Sequence, residues 1–278
     1  MRPALVVRRA ANYLDRHDVE SPLATAEVLL ADTLGTDRTG LYTRSEGLTS
    51  AEARRFGRAL CRRCTGAPTQ HITGLAGFRS ITVVVRPGVF VPRPETEVLV
   101  EVALEAIVDV PTPIVVDVGT GTGVVALAIC TERRDARVLA TDLSPEAVAL
   151  ARENAALLGA AVEVLDGDLL APLPPELVGR IDLVVSNPPY VEPDQFASLP
   201  VDVKADPSLA LLGGLPVFDR LLGAAARVLG PGGALAVEVG DGQAASVAEL
   251  AERAGFVDTM VRPDLAGRDR VVLSRQAP

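Results

Sequence analysis

Apolar positions along the chain fall into two rhythms. Over residues 5–70 the spacing is helical, with no clear strand: Ala24, Val28, Leu29 and Leu30 fall at helical spacing, and Thr49-Ser50 before Ala51-Glu52 predicts an N-terminal cap for a helix reaching Arg63. Gly66, Pro68 and Gly74 break that pattern. Ile81–Val85 is β-branched and strand-like, and Val89–Val91 reads as its hairpin partner across Pro87-Gly88. Pro92-Arg93-Pro94 is a stiff joint into a helix over 96–109.

From Pro113 onward apolar runs at 114–118, 137–141, 161–165, 181–186 and 233–239 alternate with helical stretches at 124–132, 145–158, 217–229 and 244–254. That alternation predicts βαβ units and a parallel sheet covered on both faces. The expected organisation is a helical domain over 1–75, a β-hairpin connector and hinge over 76–93, and a doubly wound α/β domain over 94–278.

Charge divides the chain at the same joint. The net charge is −9, but residues 1–93 carry 14 Arg against 8 acidic residues, a balance of +6, and the remainder carries 13 basic against 28 acidic residues, a balance of −15. Nucleic acid is not drawn to so acidic a surface. Aromatics at 3% with no Trp also argue against a base-stacking module, so direct nucleic-acid binding is not expected. No run approaches the roughly 18 apolar residues of a membrane span, and Ala4–Val7 is too short for the apolar core of a signal peptide. Three cysteines without an even framework fit a reducing compartment, so the expected location is cytoplasmic, with no membrane partner.

Candidate chemistry begins at Asp117-Val118-Gly119-Thr120-Gly121-Thr122-Gly123, which follows a strand and opens a helix. Glycines there let the backbone turn tightly and approach a ligand closely. The next strand ends at Asp142, an acid placed to accept both ribose hydroxyls of a nucleoside. The third strand leads to Asp168, near where an adenine amino group can donate. The loop lacks G-K-[ST], so it is no phosphate-gripping P-loop, and its G-x-G-x-G spacing differs from the dinucleotide G-x-G-x-x-G. Acids around a glycine loop without phosphate donors suit a cationic nucleoside. S-adenosylmethionine, yielding S-adenosylhomocysteine, is the expected cofactor; no metal is expected.

The fourth strand ends in Asn187-Pro188-Pro189-Tyr190, which should face the same crevice at the carboxyl ends of the strands. Two prolines stiffen the backbone and leave the Pro188 carbonyl free to accept, and the Asn187 side-chain oxygen is a second acceptor. Two converging acceptors grip a planar –NH2 group, and Tyr190 can cover its flat face. Asn187, Pro188, Pro189 and Tyr190 are therefore the expected catalytic residues. Asp117, Gly119, Thr120, Gly121, Thr122, Gly123, Asp142, Asp168 and Asn187 are the expected cofactor-binding set.

On these residues the chain resembles the HemK/PrmC family of release-factor glutamine methyltransferases, and the resemblance covers most of its length. Arg62-Arg63 with Pro68, and His71-Ile72-Thr73-Gly74, look like the end of that family's helical domain; Val91–Glu97 looks like its hinge and Asp264–Arg270 like its C-terminal hairpin. The resemblance implies a Rossmann-like class I S-adenosylmethionine-dependent methyltransferase domain. It adds Leu169 beside the adenine and implies that class-1 peptide chain release factors are the partner, methylated on the glutamine of Gly-Gly-Gln. Ala205-Asp206-Pro207 departs from the usual Glu-Pro, and Arg79 after Phe78 stands where an aromatic is common. Other planar amino groups remain as alternative substrates: a ribosomal-protein glutamine, or the exocyclic amine of a base.

Other residues carry less. Cys61 and Cys64 lack a second pair at zinc spacing, and Cys130 reads as core. His17 and His71 suggest no catalysis. Arg93 reads as a hinge residue pairing with an acid, and Glu238, at a strand end, either faces the crevice or caps the sheet.

Overall fold

The computed structural model describes residues 1–201 and 203–278, and the chain divides into two compact units: Met1–Leu75 with Pro200–Ala205, and Ala76–Leu199 with Asp206–Pro278. The first is helical: α1 (Pro3–Asp15), α2 (Pro22–Leu34), α3 (Arg38–Thr43), α4 (Ser50–Cys64) and α5 (Thr69–Thr73). Val7, Leu14, Leu29, Leu30, Leu41 and Phe56 form its core. The cap expected at Thr49 is a full capping box: its hydroxyl accepts from the Glu52 backbone (3.2 Å), and the Glu52 carboxylate accepts from the Thr49 N–H (2.7 Å).

Along the chain, β1 (Leu75–Phe78) and β2 (Ile81–Val84) then form a hairpin, and α6 (Thr96–Ala106) follows in the second unit. Then come β3 (Ile114–Val118), α7 (Val124–Glu132), β4 (Arg137–Asp142), α8 (Pro145–Leu158), β5 (Val162–Asp166), β6 (Ile181–Ser186), α9 (Ser208–Leu211), α10 (Leu215–Val228), β7 (Leu229–Glu238), α11 (Ala244–Arg253), β8 (Phe256–Pro263) and β9 (Asp269–Gln276). The seven-stranded sheet has the order β5-β4-β3-β6-β7-β9-β8; its first five strands are parallel, and β9 runs antiparallel to both its neighbours. Alternate residues explain why the parallel strands read as continuous apolar runs. Val115, Leu183, Val185, Ala234 and Ala236 pack into one face with α6, α7 and α8, while Val116, Val118, Val184, Leu235 and Val237 pack into the other with α10 and α11.

The hairpin differs from the expected one. Ile81–Val84 pairs with the preceding Leu75–Phe78, not with Val89–Val91. The turn is Arg79-Ser80, with Arg79 in the left-handed region at φ +48°. Its backbone N–H reaches Glu97 (2.9 Å) and its guanidinium grips Glu132 in two bonds (2.5 and 2.8 Å), which offsets that strain. Val89 is apolar for another reason: it packs on Ala147 and Leu150 of α8.

One polar side chain ties these layers together. Asn154 of α8, fully buried, accepts from Val84 N–H (2.8 Å) and donates to the carbonyls of Val84 (3.0 Å) and Thr122 (2.9 Å). It joins the end of the hairpin to the glycine loop through one amide. Asn154→Ala leaves a buried N–H without its acceptor and two carbonyls short of a donor, and should cost about 3 kcal/mol of unfolding free energy in urea titrations.

Candidate active site

The glycine loop is shaped from beneath by Asp117. This carboxyl is 1% exposed, and its Oδ2 accepts from the Thr120 hydroxyl (2.6 Å) and from the Ala126 N–H (3.2 Å), pinning the loop to the first turn of α7. Burial, only partly offset by these bonds, pushes its pKa up to about 7. Gly119 (φ +70°) and Gly121 (φ +57°) lie in the left-handed region, and a Cβ at either would meet no protein atom closer than 4.0 Å. Open space therefore lies over the loop. Gly123 is different: a Cβ there would stand 3.2 Å from Ala151, so this glycine lets α8 come close. Thr120 and Thr122 are buried in the turn.

Asp142, at the end of β4, supports the loop from the side. Its Oδ2 accepts from Gly121 N–H (2.8 Å) and its Oδ1 from Ser144 N–H (2.9 Å), with burial the main cause of a raised pKa. Each oxygen keeps acceptor capacity for a further donor, as a vicinal diol requires. Asp168 beyond β5 is exposed and already engaged, accepting from Arg220 at 2.5 Å. Leu169 follows at φ +50°, packed against the α10 and α11 face of the sheet.

Pairing of β3 with β6 sets Val118 opposite Ser186, and the Ser186 hydroxyl donates to the Val118 carbonyl (2.7 Å). The strand ends that carry the glycine loop and Asn187 are thus neighbours. The Asn187 amide nitrogen donates to the Thr96 hydroxyl (3.1 Å), and among the described residues no group donates to its Oδ1 or to the Pro188 carbonyl. Pro189 is held by close packing: a Cβ on Gly213 would lie 2.1 Å from the Pro189 carbonyl oxygen. Tyr190 stacks beside Gly240, where a Cβ would come within 3.0 Å of the ring, and its carbonyl accepts from Gln243 (2.9 Å). Burial, with the Glu238 carboxyl nearby, raises the Tyr190 pKa, so the phenol stays neutral.

Sequence reasoning missed Thr96 and Arg270 and left Glu238 open. Glu238 ends β7, beside Asn187, and is 1% exposed, with no hydrogen-bond partner for Oε2. Burial pushes its pKa up to about 7, against the pull of the Thr96 hydroxyl, the Arg270 guanidinium and the Asn187 amide. Arg270 also spans Asp264 (3.3 Å), Asp241 (3.1 Å) and the Val239 carbonyl (3.2 Å). Arg93 does pair with an acid, Asp206 (2.5 Å), whose other oxygen accepts from Val91 N–H (3.1 Å).

These residues fit S-adenosylmethionine in kind: open space over two left-handed glycines, a buried acid beneath the loop and a second acid with spare acceptor capacity. Among the described residues no cluster of three His, Cys, Asp or Glu side chains is arranged to hold a metal ion, and no helix is long and apolar enough to cross a membrane. Fold and loop together define an S-adenosylmethionine-dependent methyltransferase. Solved structures agree on the fold: a methyltransferase from Pyrococcus furiosus superposes at TM-score 0.51 (16% identity, 81% of this chain and 100% of that one), and the hMettl16 catalytic domain, solved with a 3′UTR hairpin, at 0.57 (14% identity, 84% and 86%).

Family models for the PrmC N-terminal domain and the methyltransferase small domain match residues 6–74 and 80–201. The chain is 43% identical to the release factor glutamine methyltransferase of Moorella thermoacetica (95% of each chain), 42% to that of Deinococcus radiodurans (98% of each) and 43% to that of Mycolicibacterium smegmatis (96% and 95%). It belongs to the release factor glutamine methyltransferase family.

The Glu238 environment predicts a pH signature. The folded protein keeps this proton up to about pH 7, whereas an unfolded Glu loses it near ~4.3. The stability associated with the proton is complete below the lower value and lost as pH rises through 7. Glu238→Gln has no such proton, so its Tm should rise relative to the parent as pH is raised from about 5 to 8 in parallel thermal melts.

Proposed function

We propose that this protein transfers the methyl group of S-adenosylmethionine to the side-chain amide nitrogen of the glutamine in the Gly-Gly-Gln motif of class-1 peptide chain release factors, in the cytoplasm and without a metal. The observation that carries this reading is the pair of unclaimed acceptors, Asn187 Oδ1 and the Pro188 carbonyl, on a strand end next to the glycine loop.

An amide nitrogen is a poor nucleophile because its lone pair is delocalised into the carbonyl. Asn187 and Pro188 each accept one of its hydrogens and draw the nitrogen toward tetrahedral geometry. Holding it in line supplies much of the rate, because proximity replaces a bimolecular encounter. Pro189 stiffens the acceptor backbone, and the neutral Tyr190 ring covers the flat face of the amide. Asp142 holds the ribose hydroxyls, and Asp117 keeps the loop in shape and places negative charge near a cation. Leu169 packs beside the adenine. Asp168 contributes to the adenine amine once its bond to Arg220 is exchanged. When bound, S-adenosylmethionine would supply an electrophilic methyl on a sulfonium, with a neutral thioether as the leaving group and one amide proton lost to solvent as the N–C bond forms. The helical unit, with 11 Arg against 8 acidic residues over 1–75, suits an acidic docking patch on the release factor.

Incubation with a class-1 release factor and methyl-labelled cofactor should place one methyl on the Gly-Gly-Gln glutamine, read by peptide mass spectrometry; transfer to a ribosomal-protein glutamine or a base instead, or to nothing, would sink the reading. Asn187→Ala should lower turnover by roughly 10²–10³, with a smaller change in cofactor Kd. Gly213→Ala, which drives a methyl into the Pro189 carbonyl, should lower kcat while calorimetry still finds cofactor bound.

A further inference from the structure

An asparagine side chain presents an acceptor at one end and two donors at the other, and the two ends are nearly the same shape. Only one orientation grips an –NH2 group; the inverted one points N–H at N–H. Something in the protein must choose.

The choice lies with Thr96, the first residue of α6, buried at 3% exposure, and with Glu238 behind it. The Thr96 oxygen accepts from Asn187 Nδ2 at 3.1 Å. A hydroxyl both donates and accepts, so alone it would tolerate either end of the amide. Glu238 removes that freedom. Its carboxylate has only acceptors to offer, its Oε2 is buried without a partner, and the neighbouring Thr96 hydroxyl and Asn187 amide both favour its charged form. With the Thr96 proton turned to Glu238, the lone pair left over can take only a donor, which is Nδ2. Oε2 of Glu238 is the acceptor open to that proton.

We infer that Thr96 and Glu238 are positioning residues that hold the Asn187 amide with its nitrogen inward and its carbonyl oxygen toward the substrate. This rests on the proposed grip of Asn187 on the substrate amide. The lock works while Glu238 is ionised. Groups of both signs face it from every side: Arg270 from β9, Glu95 at the start of α6, and Tyr190 beyond β6. A protonated Glu238 can donate to the Thr96 oxygen and free the amide to invert.

The test uses the full chain, with Thr96→Val, Thr96→Ser and Glu238→Gln. Without substrate, the Asn187 side-chain amide resonance in ¹⁵N spectra should titrate with a midpoint near pH 7 in the parent and lose that midpoint in Glu238→Gln. With release factor, parent kcat should rise through the same midpoint. Thr96→Val should lower kcat by roughly 10–100-fold with cofactor Kd unchanged, and Thr96→Ser should restore it. An amide resonance flat with pH in the parent overturns the inference, as does a folded Thr96→Val with parental kcat. Should Thr96→Val fail to fold, the resonance in the parent and Glu238→Gln decides alone. A parent that methylates no release factor defeats the proposed substrate, while the spectra still judge the lock.

Discussion

The pairing of β3 with β6 is the constraint on which the site depends. Residues 68 positions apart become lateral neighbours because Val118 lies opposite Ser186, and the Ser186 hydroxyl closes the join at 2.7 Å. A slip of one residue would turn Val116 and Val184 to the opposite face of the sheet and carry the glycine loop and Asn187 out of line. Burial on both faces makes that slip costly, since each face has its own apolar layer. Core packing thus sets the distance between the cofactor loop and the amide clamp, and neither motif has to find the other.

The same burial brings the site's acids to titrate near neutrality. Asp117 and Glu238 sit at the carboxyl ends of buried strands, and both have pKa values near 7 because desolvation outweighs their hydrogen bonds. A surface carboxylate would be cheaper to fold and weaker in effect, since water screens it. Asp117 is held by the groups it organises, Thr120 and the first turn of α7, while Thr96 and Arg270 favour the charged form of Glu238.

Periodic elements were legible in the sequence, and long-range polar contacts were not. Val124–Glu132 and Pro145–Leu158 match their predicted limits, because Gly123 and the Ser144 cap mark the starts and Gly159 ends the second. The hairpin was misread for a physical reason. Leu75-Ala76-Gly77-Phe78 is short and carries a glycine, so its strand signal is weak, whereas Val89–Val91 is apolar through packing on α8 and pairs with no strand. At the site, the glycine loop and Asn187–Tyr190 are contiguous in sequence and could be read directly. Thr96, Asn154 and Glu238 are single polar residues, and the bonds of Asn154 and Asn187 reach partners 32 to 91 positions away. No local pattern marks them; a buried polar residue stands out only once burial is known.

Asp206 shows how such a contact absorbs a change in the motif. The resemblance implies a glutamate here, and the shorter aspartate is fully used. Oδ1 takes the buried Val91 N–H and Oδ2 takes the Arg93 guanidinium, which also lies 5.4 Å above the Phe90 ring. Between two prolines Arg93 has little backbone freedom, so the acid meets a cation whose base is already fixed. A stiff joint can accept a shorter partner, because little ordering entropy is left to offset and the carboxylate needs only to reach a pre-set position. The Asp206 bonds therefore fix the joint that leads into α6, and with it the start of the helix that carries Thr96.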